Sequence, residues 1–211
     1  MAKMKKGILG AISGKIGPVI GGIWKGIPYL RQVPKKKTKN TKNPAQIESR
    51  QKLRFMNELL VPFHPYVSIG FMHHAEHRTE ISAAFSENYH KAVVGSHPNY
   101  TVVYHEFVIS KGNLPMIEDV TMELQAPDVL KLNWSKNGIK NTSFDDQVML
   151  VIYCPELHRT DGFSGGIKRT EEQCTFKFNP NMAGKRLEVY VSISSLNRKK
   201  IANSRYLGSI R

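Results

Sequence analysis

The sequence predicts an α+β fold: a glycine-rich N-terminal β-hairpin, two helices, and an antiparallel immunoglobulin- or fibronectin-like β-sandwich in the C-terminal half. Three observations predict it. Isoleucine and valine alternate with glycine over residues 7–32, apolar residues recur at helical spacing from residue 44, and the apolar period falls to two from residue 100. The expected boundaries are a hairpin and basic arm at 1–43, a helical segment at 44–98 and the sandwich at 99–211. With 211 residues, 40% of them apolar, the chain has the material for a sizeable core.

Within the first segment, Gly7, Gly10, Gly14, Gly17 and Gly21 recur at spacings of three and four, which on a helix would align them. Each glycine costs a helix about 1 kcal/mol relative to alanine, and Pro18 and Pro28 cost more. The β-branched residues Ile8, Ile12, Ile16, Val19, Ile20, Ile23 and Ile27 favour strands instead. Ser13-Gly14-Lys15 offers a turn between them. Gly14, Gly17, Gly21, Gly22 and Gly26 would then let another backbone approach closely, as an assembly surface requires.

Residues 33–43 form a basic linker without apolar periodicity. Asn43-Pro44 opens a helix, because Asn caps free amides and Pro is tolerated in the first turn. Ile47, Leu53, Phe55, Met56, Leu59 and Leu60 supply its apolar face, and Pro62 ends it. A second helix is expected over about 73–94, with Ala83, Ala84, Phe85, Tyr89 and Val93 as a partial stripe and Gly95 as its stop. Strands follow at Thr101–Val108, Val120–Leu124, Leu130–Trp134, Gln147–Tyr153, Cys174–Phe178, Leu187–Ile193 and Ile201–Leu207. The turn signals Asn137-Gly138, Asp161-Gly162, Asn179-Pro180 and Ala183-Gly184 separate them. Trp134 belongs to the expected core.

The runs GILGAISGKIGPVIGGIWKGIPYLRQVPKK and NPAQIESRQKLRF, with SKGNLP at Ser110–Pro115 and NSRYLG at Asn203–Gly208, resemble an uncharacterised domain-of-unknown-function family common in Bacteroidota. The positions that carry the pattern are Gly14, Lys15, Gly17, Trp24, Lys25, Gly26, Tyr29, Arg31, Pro44, Gln46, Arg50 and Phe55. The resemblance spans essentially the whole chain and implies no assigned activity.

Charge is distributed unevenly. The net charge is +14, yet residues 1–54 hold fourteen Lys or Arg against a single acid, Glu48. Such an arm seeks a polyanion, an acidic partner or a neighbouring subunit. Lys25, Arg31, Lys35, Lys36, Lys37, Lys39, Lys42 and Arg50 would supply cations, and Trp24 and Tyr29 rings on which bases stack. Five such phosphate contacts on duplex DNA would give a log–log salt slope of about −4 to −5. The bland alternative is a solvated linker with Trp24 in a core.

Other constellations are weaker. On a helix, His73, His77 and Glu80 would share a face suited to Zn²⁺ or Fe²⁺. A solvated polar face is the simpler reading. Gly162-Phe163-Ser164-Gly165-Gly166 satisfies G-x-S-x-G, but that elbow needs a strand before it, a helix after it and a later histidine. A turn is expected before it, and no histidine follows His158. Asp145-Asp146 and Glu171-Glu172 read as turn and edge charges. Cys154 and Cys174 are either buried thiols or a cross-strand disulfide.

The expected function is therefore non-catalytic, with no cofactor: a body that presents a basic arm to nucleic acid or another polyanion without strong sequence preference. The alternative is a homo-oligomeric structural subunit of a filament, virion or surface assembly. No transmembrane segment and no clear signal peptide are read from the chain, so the expected location is the cytoplasm or an assembled particle.

Overall fold

Glycine and proline place the turns of the N-terminal strands. A computed structural model describes residues 3–4, 7, 10–35, 43–135 and 141–211. Its first strands are β1 (Lys3–Met4), β2 (Ile12–Ile16), β3 (Val19–Trp24) and β4 (Ile27–Gln32), antiparallel and in that order. The turn expected at Ser13-Gly14-Lys15 lies inside β2. The chain reverses instead at Gly17-Pro18, where Gly17 has φ 55°, and again at Lys25-Gly26, with φ 46° and 80°. A two-residue hairpin turn needs such positive φ values, and glycine adopts them without steric cost. The result is a meander rather than one hairpin.

Helix α1 (Pro44–Leu60) buries Met56, Leu59 and Leu60. It ends before Pro62, in a 3-10 turn at Val61–Phe63, and the path continues as α2 (His64–Gly70). The helix expected over 73–94 is shorter. Met72–His74 form a 3-10 turn, His77 adopts φ 55°, and α3 spans only Glu80–Asn88. Thr79 caps it, its hydroxyl accepting from Ser82 N at 3.1 Å. Val93-Val94 do not extend it, and β5 (Val93–Ser96) pairs with β6 (Asn99–Val102). The strand expected to reach Val108 stops there, and a 3-10 turn follows at Tyr104–Glu106.

The remaining strands are β7 (Glu118–Ala126), β8 (Val129–Ser135), β9 (Gln147–Cys154), β10 (Arg159–Lys168), β11 (Gln173–Lys177), β12 (Leu187–Ser194) and β13 (Arg205–Ile210). They form two antiparallel sheets, β11-β8-β7 and β10-β9-β12-β13. These build the expected sandwich of immunoglobulin or fibronectin type. Leu130, Leu132 and Trp134 meet Val148, Leu150, Ile152, Val189, Val191 and Ile193 in its core. The opposite side of β9 and β12 is also covered. There Met149, Val151, Tyr153 and Tyr190 share a second core with Met56, Leu60, Phe63, Val67, Phe71, Ala83 and Ala84. Compact units accordingly fall at Met1–Asn43 and Pro44–Arg211, and the segments expected at 44–98 and 99–211 share one of them.

Strand β10 corrects another expectation. Asp161-Gly162 is not a turn and Gly162–Gly166 is not a loop, since Gly162 pairs with Val151 and Ser164 with Met149. A Cβ at Gly162, whose φ is 147°, would strike the Leu150 carbonyl oxygen. Asn137-Gly138 lies outside the described residues. Cys154 and Cys174 are free, buried thiols, and burial pushes the Cys174 thiol up to about 11.

Candidate functional site

Register gives the N-terminal sheet two unlike faces. Opposed residues in an antiparallel pair point the same way, and neighbours along a strand alternate. Lys15 opposes Ile20, Ile20 opposes Arg31, Gly22 opposes Tyr29 and Trp24 opposes Ile27. One face therefore carries Lys15, Trp24, Tyr29 and Arg31 together. Trp24 and Tyr29 are 45% and 46% exposed, which excludes Trp24 from a core within this unit. Lys25, in the β3–β4 turn, holds its Nζ 5.9 Å from the centre of the Trp24 ring. That contact shows the ring face accepting a cation. The other face carries Ile16, Val19, Ile23, Pro28 and Leu30, with Leu30 63% exposed.

Not every expected cation belongs to this arrangement. Lys35 is exposed beyond β4, and Arg50 is exposed on α1, in the other unit. Lys36, Lys37, Lys39 and Lys42 lie outside the described residues. The Met1–Asn43 unit contains no Asp or Glu, so none of its cations has a carboxylate side chain within the unit.

The glycines expected to form one assembly face are divided. Gly14 and Gly21 oppose each other on the apolar side, Gly22 lies on the ring-bearing side, and Gly17 and Gly26 occupy turns. The small size of Gly21 and Gly22 is used within the unit. A Cβ at Gly21 would meet the Ile12 carbonyl oxygen, and one at Gly22 would come within 2.8 Å of the Tyr29 ring.

His73, His77 and Glu80 do not share a helical face, because the residues between the 3-10 turn and α3 are not helical. His73 Nε2 lies 3.0 Å from the Arg198 carbonyl oxygen. Among the described residues, no group of three His, Cys, Asp or Glu side chains could hold a metal ion. Asp146 is not an edge charge. It is buried, accepts from Ser143 N at 3.0 Å and faces Arg169 Nε at 3.8 Å.

The two late sequence landmarks meet in space. Ser204 N donates to Ser110 O at 3.0 Å, and Gly112 N to Asn203 Oδ1 at 3.0 Å. Ser110 Oγ lies 2.6 Å from Ser192 Oγ and donates to Ala202 O at 2.9 Å. Lys111 N reaches Gly70 O at the end of α2. SKGNLP and NSRYLG are therefore a structural clasp that ties helices to sandwich.

One feature left no sequence signal. Phe55 and Glu58 of α1, Tyr100 of β6, Tyr104, Tyr153 of β9 and His158 line a pocket of about 230 Å³. They come from three separated stretches of chain, and only the packing of α1 and the β5–β6 hairpin beside β9 assembles them.

The fold and site define an α+β protein whose sandwich carries a helical layer and whose N-terminal strands offer a face of rings and cations. The chain belongs to the family of unknown function DUF6266, whose pattern matches residues 11–208. No curated protein matches it. Among the described residues, no helix is long and apolar enough to cross a membrane.

Proposed function

We propose that this is a non-catalytic binding protein whose N-terminal unit contacts nucleic acid or a chemically similar polyanion without strong sequence preference. The supporting observation is the convergence of Trp24, Tyr29, Lys15 and Arg31 on one face of a unit that has no acidic side chain. Cations release counterions from phosphates, and exposed rings stack bases whatever their identity. Arg31 adds a planar fork that engages a phosphate through two hydrogen bonds. The test is fluorescence titration with single-stranded DNA, RNA, duplex DNA and heparin across a salt series. Trp134 is buried, so Trp24 reports contact. Saturable quenching that weakens steeply with salt is expected. Absence of binding, or affinity indifferent to salt, would refute the proposal.

A second reading is favoured by the apolar face bearing Ile16, Ile23 and Leu30, each about half exposed or more. Contiguous exposed apolar area marks contact with another protein. On this reading the chain is a subunit of an assembly. A strict monomer at high concentration in sedimentation would remove it.

A further inference from the structure

We infer that the ring-lined pocket between α1, β6 and β9 binds a small organic cation of the alkylammonium class. Its volume, about 230 Å³, suits a head group rather than a drug-sized molecule. Four aromatic residues, Phe55, Tyr100, Tyr104 and Tyr153, contribute to the wall, and Glu58 lines it beside them. Phe55 and Tyr100 lie 5.5 Å apart between ring centres at 39°, and Tyr104 and Tyr153 6.2 Å apart at 48°. Aromatic rings carry a negative face, and a wall with four of them offers a desolvated cation the attraction that such rings exert.

The wall is rigid. Tyr153 is 1% exposed, and its hydroxyl lies 3.4 Å from His158 Nδ1. Tyr100 donates to Glu48 O at 3.2 Å, which ties the hairpin to α1. The Tyr104 ring already accepts a cation, since the Arg186 guanidinium sits 5.8 Å from its centre. Arg186 and Arg54 each have a carboxylate partner. Arg186 is paired with buried Glu188 at 2.7 Å, and Arg54 with Glu58 at 2.8 Å. The Arg54–Glu58 pair is exposed on both sides, so Glu58 is able to exchange that partner for a ligand at little cost.

The ligand chemistry has two sources, a free quaternary ammonium compound or a methylated lysine of another protein. Calorimetric titration of the full chain with choline, tetramethylammonium and a peptide carrying trimethyllysine separates them. Choline's uncharged isostere, with carbon in place of nitrogen, is the control. Saturable binding of the cations and none of the isostere is expected. Tyr104→Leu should weaken binding about two- to fivefold, the loss of one ring. Glu58→Gln, at an exposed position, should weaken it while leaving the circular dichroism unchanged. Equal binding of the isostere, no saturation by any cation, or affinity unmoved by both substitutions would overturn the inference.

Discussion

Asn88 satisfies both backbone groups of Val108. Its Oδ1 accepts from Val108 N at 2.7 Å, and its Nδ2 donates to Val108 O at 2.8 Å and to Ala84 O at 2.9 Å. A side chain thus substitutes for a strand partner, and it joins the end of α3 to the segment that leads into the sandwich. Asn88 is fully buried, so water cannot replace it. Asn88→Ala strands the Val108 amide and carbonyl and removes a second bond to the Ala84 carbonyl, and should lower stability by about 2–4 kcal/mol. Urea denaturation checks this; a loss below about 1 kcal/mol would mean that the segment re-pairs elsewhere.

Two glycines of β10 should respond very differently. Gly162→Ala forces a Cβ against the Leu150 backbone at φ 147°, whereas Gly166, at φ 93°, has nothing within 4 Å of such an atom. The first combines strain with overpacking and should cost about 3 kcal/mol or more. The second carries only the left-side backbone penalty, about 1–2 kcal/mol. Similar denaturation midpoints for the two variants would contradict the pairing of Gly162 with Val151.

Much of this architecture is legible before any coordinates. β9 and β12 announce themselves because buried strands keep long β-branched and aromatic runs, β8 because Leu130, Leu132 and Trp134 alternate with other residues, and α1 because Asn43-Pro44 opens an amphipathic stretch. β10 is illegible because Gly162, Gly165 and Gly166 imitate a loop; its strand conformation comes from pairing with β9. The helix over 73–79 fails because the Thr79 cap and the positive φ of His77 outweigh a permissive composition. The ring-bearing face depends on register. Trp24 and Tyr29 share a side only because the chain turns at Lys25-Gly26, and a one-residue slip would separate them.

Alkaline pH should destabilise the protein in a definable window. Burial pushes Cys174 up to about 11, and Tyr66 and Tyr206 up to about 12, aided by Asp161 at Tyr66 and by the Glu188 hydrogen bond at Tyr206. In the unfolded chain these groups ionise at the ordinary values of 9.0 for the thiol and 10.0 for the phenols. Their contribution is therefore whole below about pH 9 and is lost as pH rises through the elevated values. Thermal midpoints measured upward from pH 8 should fall over that range. At neutral pH neither cysteine should react with a thiol reagent until the chain is denatured, since Cys154 and Cys174 are both buried. Rapid labelling of the native protein would show that the sandwich core opens.

Substitutions on the ring-bearing face should separate charge from stacking. Arg31→Gln should flatten the log–log salt slope of polyanion binding by about 1 and weaken every sequence alike. Trp24→Leu should leave that slope in place while costing about 1–3 kcal/mol of affinity for single strands, the value of one stacked base. Duplex DNA offers no such stacking and should feel Trp24→Leu far less. If both substitutions act identically on single and double strands, the rings are not contacting bases.

Glu87 gives the acid-side counterpart. Its carboxylate accepts from Lys111 Nζ at 2.8 Å and from Lys91 Nζ at 2.7 Å. The hydrogen bond from Lys111, followed by that from Lys91, holds it below its ordinary value of 4.5. A lowered carboxylate stabilises the fold above that ordinary value and ceases to do so as pH falls through the lowered one. Both lysines are half exposed, so the contribution is modest, about 0.5–1 kcal/mol, and falls with salt. Glu87→Gln should lower stability by that amount at pH 7, and the difference should shrink as pH falls through the lowered value. Glu58→Gln removes the exposed pair with Arg54 and should change neither limb. A Glu87 effect that did not shrink however far the pH fell would trace to packing rather than to charge.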